Sequence, residues 1–280
     1  MAFGDLSRIG TNVQSQTAYN TLSKTNMELG VRQMRLATGS RLNRAEDDAA
    51  SYTISQKLEA RTRGQAQALS NIGDAKSMLT VAEGSMGTVM DILQTMKEKA
   101  VQSSNDTMGT AERADIRSAV TALRTEIGDI LDDTTFNGVA LFSGSASTSF
   151  TFQVNAENGD TMSVSISSVS QDNLGITTTA IAAMTNSSGA QSFLTAVDSA
   201  IATIADRLGD LGDSQSRLTF KQDQVSTSMN NYDAARSRIA DADFAKEQME
   251  IAKLQIMQQT GIQSFAQANS APQSVLSLLG

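Results

Sequence analysis

The sequence contains no cysteine, no histidine and no tryptophan, and its single proline is Pro272. Without His or Cys the usual zinc sites cannot be built, and neither a Ser-His nor a Cys-His nucleophile can be assembled. No disulfide can form, which is compatible with life outside the cell but gives no reading of redox compartment. Positive charge is in deficit: 22 Lys and Arg stand against 30 Asp and Glu, a formal charge of −8. That balance argues against a nucleic-acid partner, which needs a basic face to release counterions, and against an anionic membrane surface. No apolar run approaches the roughly 18 residues of a membrane span. The opening stretch "MAFGDLSRIGTNVQSQ" lacks the basic patch and apolar run of a Sec-type signal peptide. The expectation is therefore a cytoplasmic protein, or one exported without a cleaved signal.

Charge is also missing from both ends. Residues 254–280 hold no Lys, Arg, Asp or Glu, and residues 1–23 carry only Asp5 and Arg8. Termini normally carry charge because they lie in water. These need a dry environment that the rest of the chain does not obviously supply.

What is present is helical. Abundant Ala, Leu, Met and Gln with one Pro predict long helices. Ile54, Leu58, Arg61, Gln65, Ala68, Ile72, Ala75, Leu79, Ala82, Met86, Val89, Leu93, Met96 and Ala100 follow a 4-3-4-3 spacing, apolar except at Arg61 and Gln65. Val197, Ile201, Ile204, Leu208, Leu211, Gln215, Leu218, Gln222, Val225, Met229, Tyr232, Arg236 and Ile239 repeat it. Such stripes ask for helices packed lengthwise, each about 65–70 Å long. The polar interruptions read either as register-setting layers or as a solvated edge. A third helix is predicted over 110–132, with Ile116, Val120, Leu123, Ile127, Ile130 and Leu131 inward. Glycines inside these helices (Gly64, Gly73, Gly84, Gly87, Gly209, Gly212) cost about 1 kcal/mol each against Ala, and close helix contact is the expected compensation, with a mild kink as the alternative.

The middle of the chain changes period. "FTFQVNAENGDTMSVSI" alternates Phe150, Phe152 and Val154, then Met162, Val164 and Ile166, around Asn158-Gly159, which predicts a β-hairpin. Residues 143–149 and 177–189, rich in Ser, Thr, Gly and Ala, read as exposed loops. Near the start, Leu22, Leu29 and Leu36 form another helical stripe, which Gly39 is placed to end. "NRAEDD" then offers caps for the next helix. Its carboxylates read as caps and ion-pair partners of Arg41 or Arg44 rather than as an acid-base pair. The chain runs out and returns, so the two ends meet. The fold class expected is mainly α: a long antiparallel coiled-coil-like helical rod with a small β-hairpin region and terminal helices that pair.

Three motifs, in order, resemble those of the bacterial flagellins: "LATGSRLNRAEDDAASYTIS", "TTFNGVALF" and "NSAPQSVLSLLG". The resemblance implies a subunit that assembles with itself into the flagellar filament, with no catalysis and no cofactor. It implies an inner tube and collar from 1–45, rod helices from 46–140, and a hairpin with exposed loops (a reduced variable region) from 141–190. A return rod helix from 191–242 and a second inner-tube helix from 243–280 complete the chain. Assembly residues carried over are Arg41, Asn43, Asp47 and Asp48 at the collar, and Leu276, Leu278 and Leu279 in the tube. Filament cap and hook-associated proteins, and an export chaperone on the C-terminal helix, are the further partners implied, with location outside the cell after type III export. A hook-filament junction protein is the competing reading, although such relatives usually depart from the Leu-Ser-Leu-Leu ending. An animal innate receptor binds the family along the first rod helix, where this chain reads "ILQTMKEKAVQSS". Leu93, Gln94, Ala100, Val101 and Gln102 fit the family pattern there, and Lys97 lies within the segment. Thr95 stands in place of Arg, Lys99 in place of Leu, and Leu123 where another Arg is expected. Losing such donors predicts weak receptor binding.

Overall fold

The computed structural model describes residues 11–142 and 147–276, with backbone alone for 271–276. Its helices are α1 (Val13–Thr38), α2 (Ala49–Ser103), α3 (Thr110–Asp133), α4 (Thr178–Ala182), α5 (Ser187–Ala240) and α6 (Phe244–Leu276). Four short strands, β1 (Thr135–Phe136), β2 (Val139–Ala140), β3 (Thr148–Gln153) and β4 (Thr161–Ile166), form two antiparallel pairs. The fold is mainly α with a small β region. The chain divides into two compact units: Arg61–Asn230, and the described residues up to Ala60 together with those from Asn231 onward. Helices α2 and α5 contribute to both.

The Arg61–Asn230 unit has a continuous core. On α2, every position of the stripe from Gln65 to Ala100 is buried, at 3% exposure or less. Val197, Ile204, Leu211, Leu218 and Val225 of α5 join it, with Ile116, Val120, Ile127 and Leu131 of α3. Polar bonds across the flank fix how α2 and α5 pair. Lys76 donates to Thr219 and Gln222, Gln215 donates to Glu83 at 2.9 Å, and Lys97 pairs with Asp198 at 2.7 Å. One residue number rises as the other falls, as antiparallel helices require. Gln65 is the buried polar layer, 3% exposed, whereas Arg61, Gln215 and Gln222 act from the edge. Arg113, itself buried, donates to the carbonyls of Ser103 and Asn105 at 3.0 and 2.8 Å. A cation on orphan carbonyls at the negative end of a helix dipole is favourable, so Arg113 closes the corner between α2 and α3.

The hairpin pairs Phe150 with Val164 and Phe152 with Met162. Met162, Val164 and Ile166 turn inward and the alternate residues of β4 face out. Its loop lies on α2: Asn71 donates to the Gln153 carbonyl, and Arg61 pairs with Glu157 at 2.6 Å. A Cβ on Gly64 would stand 2.8 Å from the Ala156 Cβ, so this glycine is required by close approach. The compensation expected for the other helical glycines is absent. Among the described residues, leaving out each helix's own nearby backbone, nothing lies within 4 Å of a Cβ built on Gly73, Gly84, Gly87, Gly209 or Gly212.

Two further expectations are corrected. The stretch 177–189 is not an exposed loop: it holds α4 and the start of α5, with Ile181 and Met184 at 2% and 0% exposure. Two apolar residues one turn apart, Ile181 and Met184, anchor a segment whose small residues mimic a linker. The α2 stripe also fails at its beginning, where Ile54 is 49% exposed and Ser55 is buried.

Candidate functional site

The second unit carries the uncharged ends and the collar. Asn12 caps α1 by accepting from the Ser15 N–H, and Gly39 closes it at φ 69°, in the left-handed region where glycine carries no Cβ penalty. Asp243 opens α6, its carboxylate accepting from the Ala245 and Lys246 N–H groups. The two helices run antiparallel. Asn12 donates to the Ala268 carbonyl, Ser15 to Asn269, Gln258 to Asn26, and Arg32 to Glu247. Tyr19 and Phe265 meet with ring centroids 6.2 Å apart, and Leu22 packs on Gly261.

Little apolar surface is hidden by this pairing. The buried cluster consists of Leu29, Ile251 and Leu254, with Leu36 packed against it. Tyr19 (59%), Met27 (68%), Met249 (66%), Ile256 (65%) and Ile262 (52%) remain open. Methionines therefore divide by place: Met78, Met86, Met96 and Met184 fill the core of the first unit, while Met27, Met34, Met249 and Met257 of the terminal helices face out.

The collar is a knot of backbone bonds. Ser40 and Asp241 form an isolated antiparallel bridge. Arg41 donates its N–H to the Ala240 carbonyl and its guanidinium to the Ile239 carbonyl at 2.8 Å. The Asn43 amide donates to the Ser40 carbonyl. Asp47 accepts from the Arg44 and Asn43 N–H groups and pairs with Arg35 at 3.3 Å. Those backbone donors, Arg44 first, together with the Arg35 guanidinium, hold the Asp47 carboxyl below its ordinary pKa against the opposing push of burial. Asp48 caps α2, accepting from Ala50 and Ser51, and its pKa is lowered by the Ser51 bonds first. The ion-pair partner of Asp47 is thus Arg35 rather than Arg41 or Arg44, while Glu46 pairs with Arg44 at 3.0 Å.

Sequence reading missed Glu247, which is 5% exposed and takes Arg32 at 2.9 and 3.0 Å, with Arg35 at 3.9 Å. The available signal was Arg32 and Arg35, one helical turn apart on a helix with few other charges. Of the tube leucines, Leu276 is the last residue of α6 with its side chain undescribed, and Leu278 and Leu279 lie outside the described residues. The receptor-like segment is split. Leu93 and Ala100 are fully buried, whereas Gln94, Thr95, Lys97, Val101 and Gln102 are exposed.

Comparison with known proteins agrees with this arrangement. The bacterial flagellin N-terminal helical region matches residues 9–147, and the bacterial flagellin C-terminal helical region matches residues 194–279. A flagellin of Halalkalibacterium halodurans is 36% identical, over 97% of this chain and 99% of the relative. A flagellin of Bacillus subtilis is 34% identical at the same coverages. A solved hook-associated protein from Vibrio parahaemolyticus superposes with a TM-score of 0.60 at 18% identity, over 70% of this chain and all of that one. That likeness shows the fold alone and does not favour the junction-protein reading. With both terminal regions and nearly its whole length matched, the chain belongs to the bacterial flagellin family and is a structural, self-associating subunit of the extracellular filament that serves swimming, not an enzyme.

Proposed function

We propose that α1 and α6 are the polymerisation surface, forming the inner tube with the segments that flank them (1–45 and 243–280). The helical stretches 46–140 and 191–242 build the next shell, and 141–190 faces outward. The observation that carries this reading is the open apolar surface of the α1–α6 pair. Helices in water draw most of their stability from tertiary packing, and here that packing is Leu29, Ile251 and Leu254 with Leu36. Neighbouring copies supply the missing cover. Leu276, Leu278 and Leu279 add to the same tube. Arg41, Asn43, Asp47 and Asp48 act by positioning: their groups are engaged within the chain and hold the α1–α6 pair at a fixed exit.

Contacts that do not close on themselves generate an open helical polymer, so a growing tip is a template on which the ends order. The apolar α6 face needs a cover before assembly, which is the role of an export chaperone. The absence of cysteine suits passage of an unfolded chain through a type III channel, and cap and hook-associated proteins bound the polymer at its two ends. Purified protein added to sheared filament seeds is expected to elongate them, followed by turbidity. Protein that stays as discrete particles beside competent seeds overturns the reading. For the receptor, exposed Thr95 in place of Arg and buried Leu93 support weak activation, and full potency in a reporter-cell assay would overturn that.

A further inference from the structure

The Arg61–Asn230 unit has an opening unrelated to the terminal helices. A groove of about 380 Å³ runs between β4 and α5, lined by Met162, Arg217, Phe220, Lys221 and Gln224. Phe220 is 73% exposed, and it is the only aromatic among the exposed large hydrophobic residues of this unit. Arg217 has no hydrogen bond or ion pair among the described residues, and the one hydrogen bond of Lys221 is to Gln224 at 3.4 Å. An aromatic side chain in water between two cations that have no ion-pair partner among the described residues is the composition of an interface hot spot, not of an ordinary soluble surface.

The same unit carries the opposite composition elsewhere. The last two turns of α3 hold Glu126, Asp129, Asp132 and Asp133, with no basic residue in the final turn. None of the four has an ion pair among the described residues. Carboxylates crowded at the carbonyl end of a helix repel one another and oppose the dipole. Directly after them, the turn at Asn137 (φ 51°) and Gly138 (φ 77°) presents Val139, which is 51% exposed. One surface is thus an aromatic with a cationic rim, and the other an aliphatic knob with an anionic rim.

We infer that these two surfaces are complementary halves of a contact between copies of this chain, Val139 and the acidic end of α3 of one copy entering the Phe220 groove of the next. The inference rests on the chain being a filament subunit and adds a second contact to the one proposed for α1 and α6. Charge complementarity selects the occupant. Copies of −8 formal charge repel one another, so a contact between them needs a local patch of opposite sign, and Arg217 with Lys221 supplies it. Each copy carries both halves, so the contact can repeat head-to-tail, and along a filament, where the rotation does not close, it propagates from copy to copy.

The absence of native cysteine makes the test direct. A chain with both Phe220→Cys and Val139→Cys, grown on seeds and oxidised, is expected to give a ladder of covalent multimers, and either single variant none. Reversing one half, as Arg217→Glu with Lys221→Glu or as Asp132→Lys with Asp133→Lys, is expected to slow elongation on the order of tenfold. Mixing the two reversals in one chain restores the rate to within about threefold of the unmutated value. All four positions lie at the surface, so circular dichroism should match the unmutated chain and thermal unfolding should come no earlier, with Asp132→Lys and Asp133→Lys slightly later because they relieve the α3 dipole. No ladder, together with reversals that elongate at the unmutated rate, overturns the inference and leaves the groove to a different partner. Failure of the unmutated chain to elongate seeds would instead sink the filament reading of the terminal helices.

Discussion

The two units solve the problem of burial in opposite ways. In Arg61–Asn230, the stripe from Gln65 to Ala100 and the facing residues of α3, α5 and the hairpin share one continuous core, with Ile72, Leu79, Val89 and Leu93 at 0% exposure. In the other unit, helices of 26 and 33 residues are held by a buried cluster of Leu29, Ile251 and Leu254. The first unit closes its core within one chain. The second leaves large apolar side chains such as Met27, Met249 and Ile256 open to water, as a surface does when its partner is another copy. Charge follows the same division: polar bonds in the first unit decorate the flank of a finished core, whereas Arg32, Arg35 and Glu247 sit at the root of an unfinished one.

The comparison breaks most decisively at the open face. Ile256→Glu with Ile262→Glu places carboxylates where neighbouring copies would bury them, and burying an unpaired charge costs several kcal/mol. Seeded elongation should fall about a thousandfold or more, while thermal unfolding of the Arg61–Asn230 core stays unchanged. If the double variant elongates normally, the terminal helices are not the polymerisation surface. The reciprocal experiment is Leu79→Ala, at a position of 0% exposure. It should lower stability by about 2–5 kcal/mol in urea unfolding and leave elongation by the remaining folded subunits intact. Together the pair of variants separates folding from assembly.

Which parts were legible follows from how local the cause is. Heptad stripes and strand alternation are set by 3.6- and 2-residue periods, so α2, α3, α5 and the hairpin could be read from spacing. Residues 177–189 could not, because Ile181 and Met184 are isolated apolar residues whose burial depends on what lies beneath them. The collar was recognisable as a motif, but not in its wiring: Arg41 binds the carbonyl of Ile239, 198 positions away, and a backbone acceptor has no sequence signature. Glu247 was harder to find than its partners: Arg32 and Arg35 stand out one turn apart, but the carboxylate they share comes from the other end of the chain. The helical glycines misled in the other direction: of those expected to mark close contact, Gly64 alone is closely approached among the described residues, because the spacing of a glycine does not say which face of its helix is covered.

The collar gives a prediction in pH. Asp47 and Asp48 both have folded-state pKa values below the ordinary 3.8. A carboxyl with a depressed folded pKa binds fewer protons when folded, so its stabilising contribution is present above the unfolded value and drains as pH falls through the folded one. Opening of the knot should therefore begin below about pH 4, seen as lower amide protection factors, corrected for the intrinsic exchange rate at each pH, at residues 43–52. Asp47→Asn should exchange faster at neutral pH and lose most of that acid dependence. An acid response unchanged by the substitution would assign it to other groups.

The smallest effect is the most discriminating. Gly64 and Gly84 are both helical glycines of α2, but a Cβ on Gly64 meets Ala156 at 2.8 Å while one on Gly84 meets nothing within 4 Å. In the isolated subunit, Gly84→Ala should stabilise by about 0.5–1 kcal/mol, because alanine narrows the unfolded ensemble without a clash. Gly64→Ala should destabilise, because the hairpin loop must withdraw from the helix. The same reasoning applies to Gly87, Gly209 and Gly212, each open on its own chain. If their bare backbone is covered by a neighbouring copy, the alanine variants will be more stable as subunits yet slower to elongate seeds. Gains in both measurements would mean that these glycines serve no contact in the filament, and that the open flank of α2 and α5 faces water there as well.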